Sequence, residues 1–215
     1  MRRQRGNLGA TGMLELRFSD IRAAVSGIQN ELKRINEGRW IGDFQEFYLQ
    51  SMLARSLALS KNCSFMLEVT DSNLPRELSN QSMTKETEKS GSDHERTDIV
   101  LYQSDVCIPI EVKKVWQETA WRRDLERVSN FVSRKPNVEQ GWFVGFQQQR
   151  KGKAAIEANI TALRRAACEL GGCYDHHHSG NLQRHRRTLS FGDHHHGINC
   201  LWLHCQRASP HCQCR

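Results

Sequence analysis

The segment Thr97–Lys113, TDIVLYQSDVCIPIEVK, constrains this chain more tightly than any other. It holds two β-forming runs separated by Ser104-Asp105, a pair suited to a turn. An antiparallel hairpin turning there sets Tyr102 opposite Cys107 and, counting back, Asp98 opposite Glu111. Opposed residues share a face of the sheet, with Cβ atoms about 5 Å apart. Lys113 lies two residues beyond Glu111 and so shares that face. The other face carries Ile99, Leu101, Ile108, Ile110 and Val112, all apolar, and is the expected core side. Pro109 lies inside the second strand and cannot donate a ladder bond, so an edge or a bulge is expected beside it, with a risk to the register.

Two directly opposed carboxylates repel each other. A divalent cation between Asp98 and Glu111 would remove that penalty, and carboxylate oxygens with retained waters suit Mg²⁺. Such an ion polarises a phosphodiester and lowers the pKa of a bound water, while Lys113 is placed to orient that water or to stabilise charge developing on the phosphate. The plain alternative is a solvated sheet face with charges neutralised by Lys113 and Lys114, because alternation needs no function.

The rest of the chain supplies a frame. Leu14, Phe18, Ile21, Val25, Ile28, Leu32 and Ile35 follow a four-three spacing that predicts a helix over 14–36. Its seam packs either on its own domain or, in the sharper reading, against a second copy as a homodimer helix. A second helix is expected over 43–59, with Asp43, Glu46 and Gln50 aligned on one side. Cys63, Phe65, Leu67 and Val69 alternate as in a half-buried strand, and the polar stretch 71–96 reads as a long loop. Helices are expected over 117–133 and 153–170, with a buried strand at 141–146 between them. Two helices, three strands, a helix, a strand and a helix describe an α/β domain with a mixed sheet.

Composition changes near Gly171-Gly172. Nine of the ten histidines and six of the eight cysteines fall after residue 167, and neither Lys nor Glu occurs after Glu169. The chain therefore divides into an N-terminal helical segment (1–38), a core (39–171) and an irregular His/Cys-rich tail (172–215). The tail has no Cys-x-x-Cys pair, so a zinc finger ranks below a disordered or frameshifted end and below loose metal binding. Within it, INCLWLHC is the stretch best able to add a strand.

The net charge is +7 at pH 7, with a pI of about 9.1, which suits a polyanionic partner such as nucleic acid. Lys114, Arg122 and Arg123 follow the hairpin and are weak candidates for phosphate contacts; Trp116 and Trp121 are candidates for base stacking, and Trp142 reads as core. No run of about 18 apolar residues occurs, so no membrane span is expected. The start shows no apolar region behind Arg2, Arg3 and Arg5, which makes the cytoplasm the default location.

Asp98, followed by Glu111-Val112-Lys113 on the next strand, resembles the PD-(D/E)xK nuclease superfamily, with Thr97 standing where the motif name has Pro. The resemblance covers roughly residues 40–170 and implies a restriction-endonuclease-like core, a mixed central sheet flanked by helices. It also implies a Mg²⁺-dependent nuclease (Mn²⁺ can substitute) acting on DNA. Asp98, Glu111 and Lys113 would then be catalytic. Glu46 matches the further acid that an upstream helix often supplies, and Asp98, Glu111 and Glu46 would hold the metal. The alternative is a non-catalytic nucleic-acid-binding or regulatory protein on a degenerate nuclease fold.

Overall fold

The computed structural model describes residues 14–35, 44–70, 96–113, 118–135, 137–148 and 198–206, together with isolated helical positions between 158 and 169. Three helices, α1 (Phe18–Ile35), α2 (Glu46–Lys61) and α3 (Glu118–Arg134), flank one mixed sheet. Its strands are β1 (Ser64–Val69), β2 (Thr97–Gln103), β3 (Val106–Lys113), β4 (Gln140–Gln148) and β5 (Ile198–Gln206), paired in chain order. β1, β2 and β3 form an antiparallel meander, β4 runs parallel to β3, and β5 antiparallel to β4. The parallel step is the one bridged by α3, as the length of a crossover requires.

The hairpin register is the expected one. Tyr102 faces Cys107, Ile99 faces Ile110, and the same count sets Asp98 against Glu111. Ser104 takes a left-handed backbone, φ 56°, in the turn. Pro109 causes no slip. It pairs with Val100, and the ladder to β4 begins one residue later at Ile110↔Trp142.

Both faces of the sheet are covered. Ile99, Leu101, Ile108, Ile110 and Val112 pack with Trp142, Val144 and Phe146 against α1 and α2. The α1 seam is spent here: Ile21, Val25, Ile28 and Leu32 are buried, and Phe18 meets Trp142 edge-on at 5.0 Å between ring centroids. Of the two readings of that seam, packing on the chain's own domain accounts for these residues. Beneath the other face, Val128 and Val132 of α3 pack with Val100, Cys107 and Val138. That face was expected to be polar. It is a second small core, and the charged groups Asp98, Glu111 and Lys113 gather at the end where β2 begins and β3 finishes.

Two further expectations change. β1 does not alternate throughout: Leu67 packs on the α1–α2 side, whereas Val69 packs with Val100 and Cys107 on the α3 side. Between them Glu68 has φ 50°, a left-handed backbone that turns the strand over. Phe65, expected inside, is exposed. In the tail, residues 198–206 pair with β4 along nine residues, so this stretch is part of the sheet rather than an irregular end. The pairing covers an otherwise open edge. The other tail residues, the loop 71–95 and most of the 153–170 helix lie outside the described residues, although Leu163 and Ala166 are buried at helical positions.

Gly141 shows how closely α3 approaches the sheet. A Cβ there would lie 2.5 Å from Val128 Cγ1 and 2.9 Å from Val132 Cγ2. Gly141→Ala should therefore destabilise the fold by about 1–3 kcal/mol through overpacking. Gly27→Ala, on the open side of α1 with nothing within 4 Å, should stabilise it by roughly 0.5–1 kcal/mol. Urea denaturation of both variants checks the pair; equal stabilities would show that α3 does not press on Gly141.

Candidate active site

The end of the sheet at which β2 starts and β3 finishes gathers charge from four elements. Asp98 is the second residue of β2, and Glu111 and Lys113 close β3. Glu46 opens α2, which runs back over the sheet so that its first turn reaches this end. The four residues singled out from the sequence thus come together: Lys113 Nζ is 3.8 Å from Glu46 Oε1, and both Glu46 and Glu111 act electrostatically on Asp98.

Burial sets the character of the acid pair. Glu111 is 1% exposed, and Asp98 Oδ2 accepts a hydrogen bond from the Val112 backbone N–H at 2.7 Å. Burial raises the Asp98 carboxyl to about 6, against an ordinary 3.8; the Val112 bond works against the rise, and Glu68 and Glu46 add to it. Glu111 is pushed well above its usual range, first by burial and then by the Asp98 charge, with Arg127 opposing. The two carboxyls act on each other, and both are held above the ordinary carboxylate range.

Around the pair lie residues that the sequence reading did not place. Arg127, on α3, reaches both Glu111 oxygens at 3.5 Å and donates to the Arg96 carbonyl oxygen at 2.6 Å. It also donates to Asp124 Oδ1. Asp124, 6% exposed, has its other oxygen 3.4 Å from Lys113 Nζ. For Lys113, burial alone would lower the pKa; Asp124, Glu46 and Asp98 outweigh it and hold the ammonium above its ordinary value. Asp124 and Arg127 stand three apart on one helix, and that spacing was the available signal. Glu68 escaped notice because only its left-handed backbone departs from a regular strand.

The weak nucleic-acid candidates fare differently. Arg123 is exposed on α3, whereas Arg122 pairs with Glu169 at 2.9 Å and lies 6.0 Å from the centre of the Trp121 ring. Trp121 is 2% exposed and is therefore core rather than a stacking platform. Trp142 is core, as expected, with its indole N–H donating to Gln140 Oε1 at 2.9 Å. Lys114, Trp116 and His94 lie outside the described residues.

Among the described residues no group of three or more His, Cys, Asp or Glu side chains is arranged as a metal cage, and no helix is long and apolar enough to cross a membrane. What the site presents is a two-carboxylate platform of hard oxygen donors flanked by cations. No family model, curated protein or solved structure matches this chain.

The raised carboxyls give a signed prediction. A folded-state value near 6 means that Asp98 keeps a proton which the unfolded chain has released. The contribution of this group to stability should be full below the ordinary value of 3.8 and be lost as pH climbs through about 6, with Glu111 extending the fall upward. Asp98→Asn, whose amide oxygen can still accept from Val112, should be more stable than the parent at pH 8, by on the order of 3 kcal/mol at most. Urea denaturation at pH 5 and pH 8 measures this; an Asp98→Asn protein less stable than the parent at pH 8 would contradict it.

Proposed function

We propose that this chain is a nuclease of the PD-(D/E)xK kind, hydrolysing phosphodiester bonds in DNA with the help of a divalent cation, Mg²⁺ or Mn²⁺. The observation that carries the reading is the convergence of the buried Glu111 and the partly buried Asp98 at one end of the hairpin, with Lys113 beside them. Such an arrangement costs stability, and a cation that binds both carboxylates recovers it. A set of two acids is small, but Mg²⁺ habitually keeps several waters and takes further oxygens from phosphate. Glu46 is an additional donor from the α2 side, 3.8 Å from Lys113 Nζ.

In this reading a divalent ion, when bound, would supply a more acidic water and a polarised phosphodiester. Asp98 and Glu111 would hold it, and would do so as ionised carboxylates. Lys113 serves as a fixed positive charge and not as a base, because its acidic neighbours keep it protonated; it stabilises charge as it grows on the phosphate. Arg123 and Lys114 supply backbone contacts that set affinity without reading sequence. The net charge of +7 favours such a polyanionic partner.

A second reading, a non-catalytic nucleic-acid-binding protein, draws on one observation: Arg127 already stands against Glu111, as a structural ion pair would. The acid pair argues for the enzyme, since binding alone has no use for two neighbouring carboxyls held above their ordinary range.

Plasmid nicking with Mg²⁺ or Mn²⁺, against EDTA, separates the two. Asp98→Asn, Glu111→Gln and Lys113→Met should each lower cleavage roughly a hundredfold or more while the protein stays folded. Glu46→Gln should cost less than any of them. Protein that cuts no form of DNA or RNA with either ion would end the enzyme reading, and full activity in Asp98→Asn would end the site.

A further inference from the structure

We propose that Asp124 is a positioning residue: it holds the Lys113 ammonium over the acid pair and couples it to Arg127, so that α3 sets the geometry of the site. This deepens the nuclease reading and rests on it. The charges form an unbroken alternating chain across three elements, from Glu111 on β3 to Arg127 and Asp124 on α3, back to Lys113 on β3 and on to Glu46 on α2. Asp124 is its central link. It is almost fully buried, and its two oxygens are divided between the two cations, Oδ1 to Arg127 and Oδ2 to Lys113 at 3.4 Å. A buried carboxylate is tolerated only when paired in this way.

Lys113 ends β3, with a flexible side chain of four methylenes and an exposure of 29%. Its strand fixes its backbone and leaves the ammonium free to sample several rotamers. Glu46 lies at 3.8 Å and is itself one-third exposed, so it is a weak tether. Asp124 is the closer and better buried partner. It stands on a helix whose Val128 and Val132 are clamped against the sheet, so its position is fixed by apolar packing. Through Arg127, which also grips the Arg96 carbonyl just ahead of β2, the same helix is tied to the strand that carries Asp98.

The test pairs structure with kinetics. Crystal structures of the wild type and of Asp124→Asn should show Lys113 Nζ displaced by roughly 1 Å or more in the variant. In Mg²⁺-dependent nicking, kcat should fall roughly 10–100-fold with KM nearly unchanged, and Asp124→Glu should recover part of the loss. Asp124→Asn leaves Arg127 with Glu111 as its remaining carboxylate partner among the described residues. If that variant does not fold, Asp124→Asn with Arg127→Gln takes its place, with the same displacement expected. Lys113 unmoved in the variant crystal would overturn the proposal whether or not kcat falls, and so would an unchanged kcat. A wild type that cleaves nothing sinks the nuclease reading alone, because the crystallographic displacement of Lys113 still reports on positioning.

Discussion

The interaction on which this structure turns is the repulsion between two carboxyls that the hairpin sets face to face. Asp98 is held by its bond from the Val112 N–H, and Glu111, paired with Phe143 of β4, is walled in by the sheet and α3. In water at this spacing the cost would be small. Burial enlarges it and drives both groups to keep protons beyond the ordinary carboxylate range. Much of what surrounds them answers that charge: Arg127 against Glu111, Lys113 at the strand end, and Asp124 holding the two cations in place. Stability sacrificed at one spot in an otherwise well-packed domain is how function commonly announces itself.

The rest of the fold serves to hold that spot. α1 and α2 bury one face of the sheet, and α3 buries the other along most of its length. Coverage from both sides fixes β2 and β3 laterally, and the parallel pairing of β3 with β4 brings the α3 crossover back over the α3-facing side. The acids are left at the strand ends, Glu111 buried and Asp98 partly buried. Rigid strands carrying the acids, with a helix carrying their counter-charges, satisfy the demand that such groups be held by packing rather than by loops.

Much of this was legible in the sequence, for reasons that differ by element. The hairpin was readable to the residue, because period-two alternation with a short turn leaves one sensible register, and Pro109 did not disturb it. The α1 seam was readable as a helix, but its partner was not, since a four-three spacing serves a sheet as well as a second copy. The α3 face of the hairpin misled: Val100 and Cys107 are too few to mark a second core until Val128 and Val132 are seen opposite them. Glu46 was brought in by resemblance alone, and its approach to Lys113 depends on the length of α2. Asp124 and Arg127 are unremarkable in sequence, because charges three apart on a helix usually face solvent. β5 was legible as the apolar stretch INCLWLHC, though not its partner, because pairing with β4 spans a long separation; Glu68 depends on a local backbone reversal that leaves no periodic trace.

The claim at the centre is that Asp98 and Glu111 are a cation platform rather than a buried proton-sharing pair. Anomalous diffraction from crystals soaked in Mn²⁺ at pH 8, where the carboxyls are easier to ionise, tests it most directly. The account predicts one strong peak within coordination distance of both Asp98 and Glu111, absent from Asp98→Asn crystals treated in the same way. Crystals of the parent protein showing no peak there, with the two carboxyls still hydrogen-bonded to each other, would contradict it.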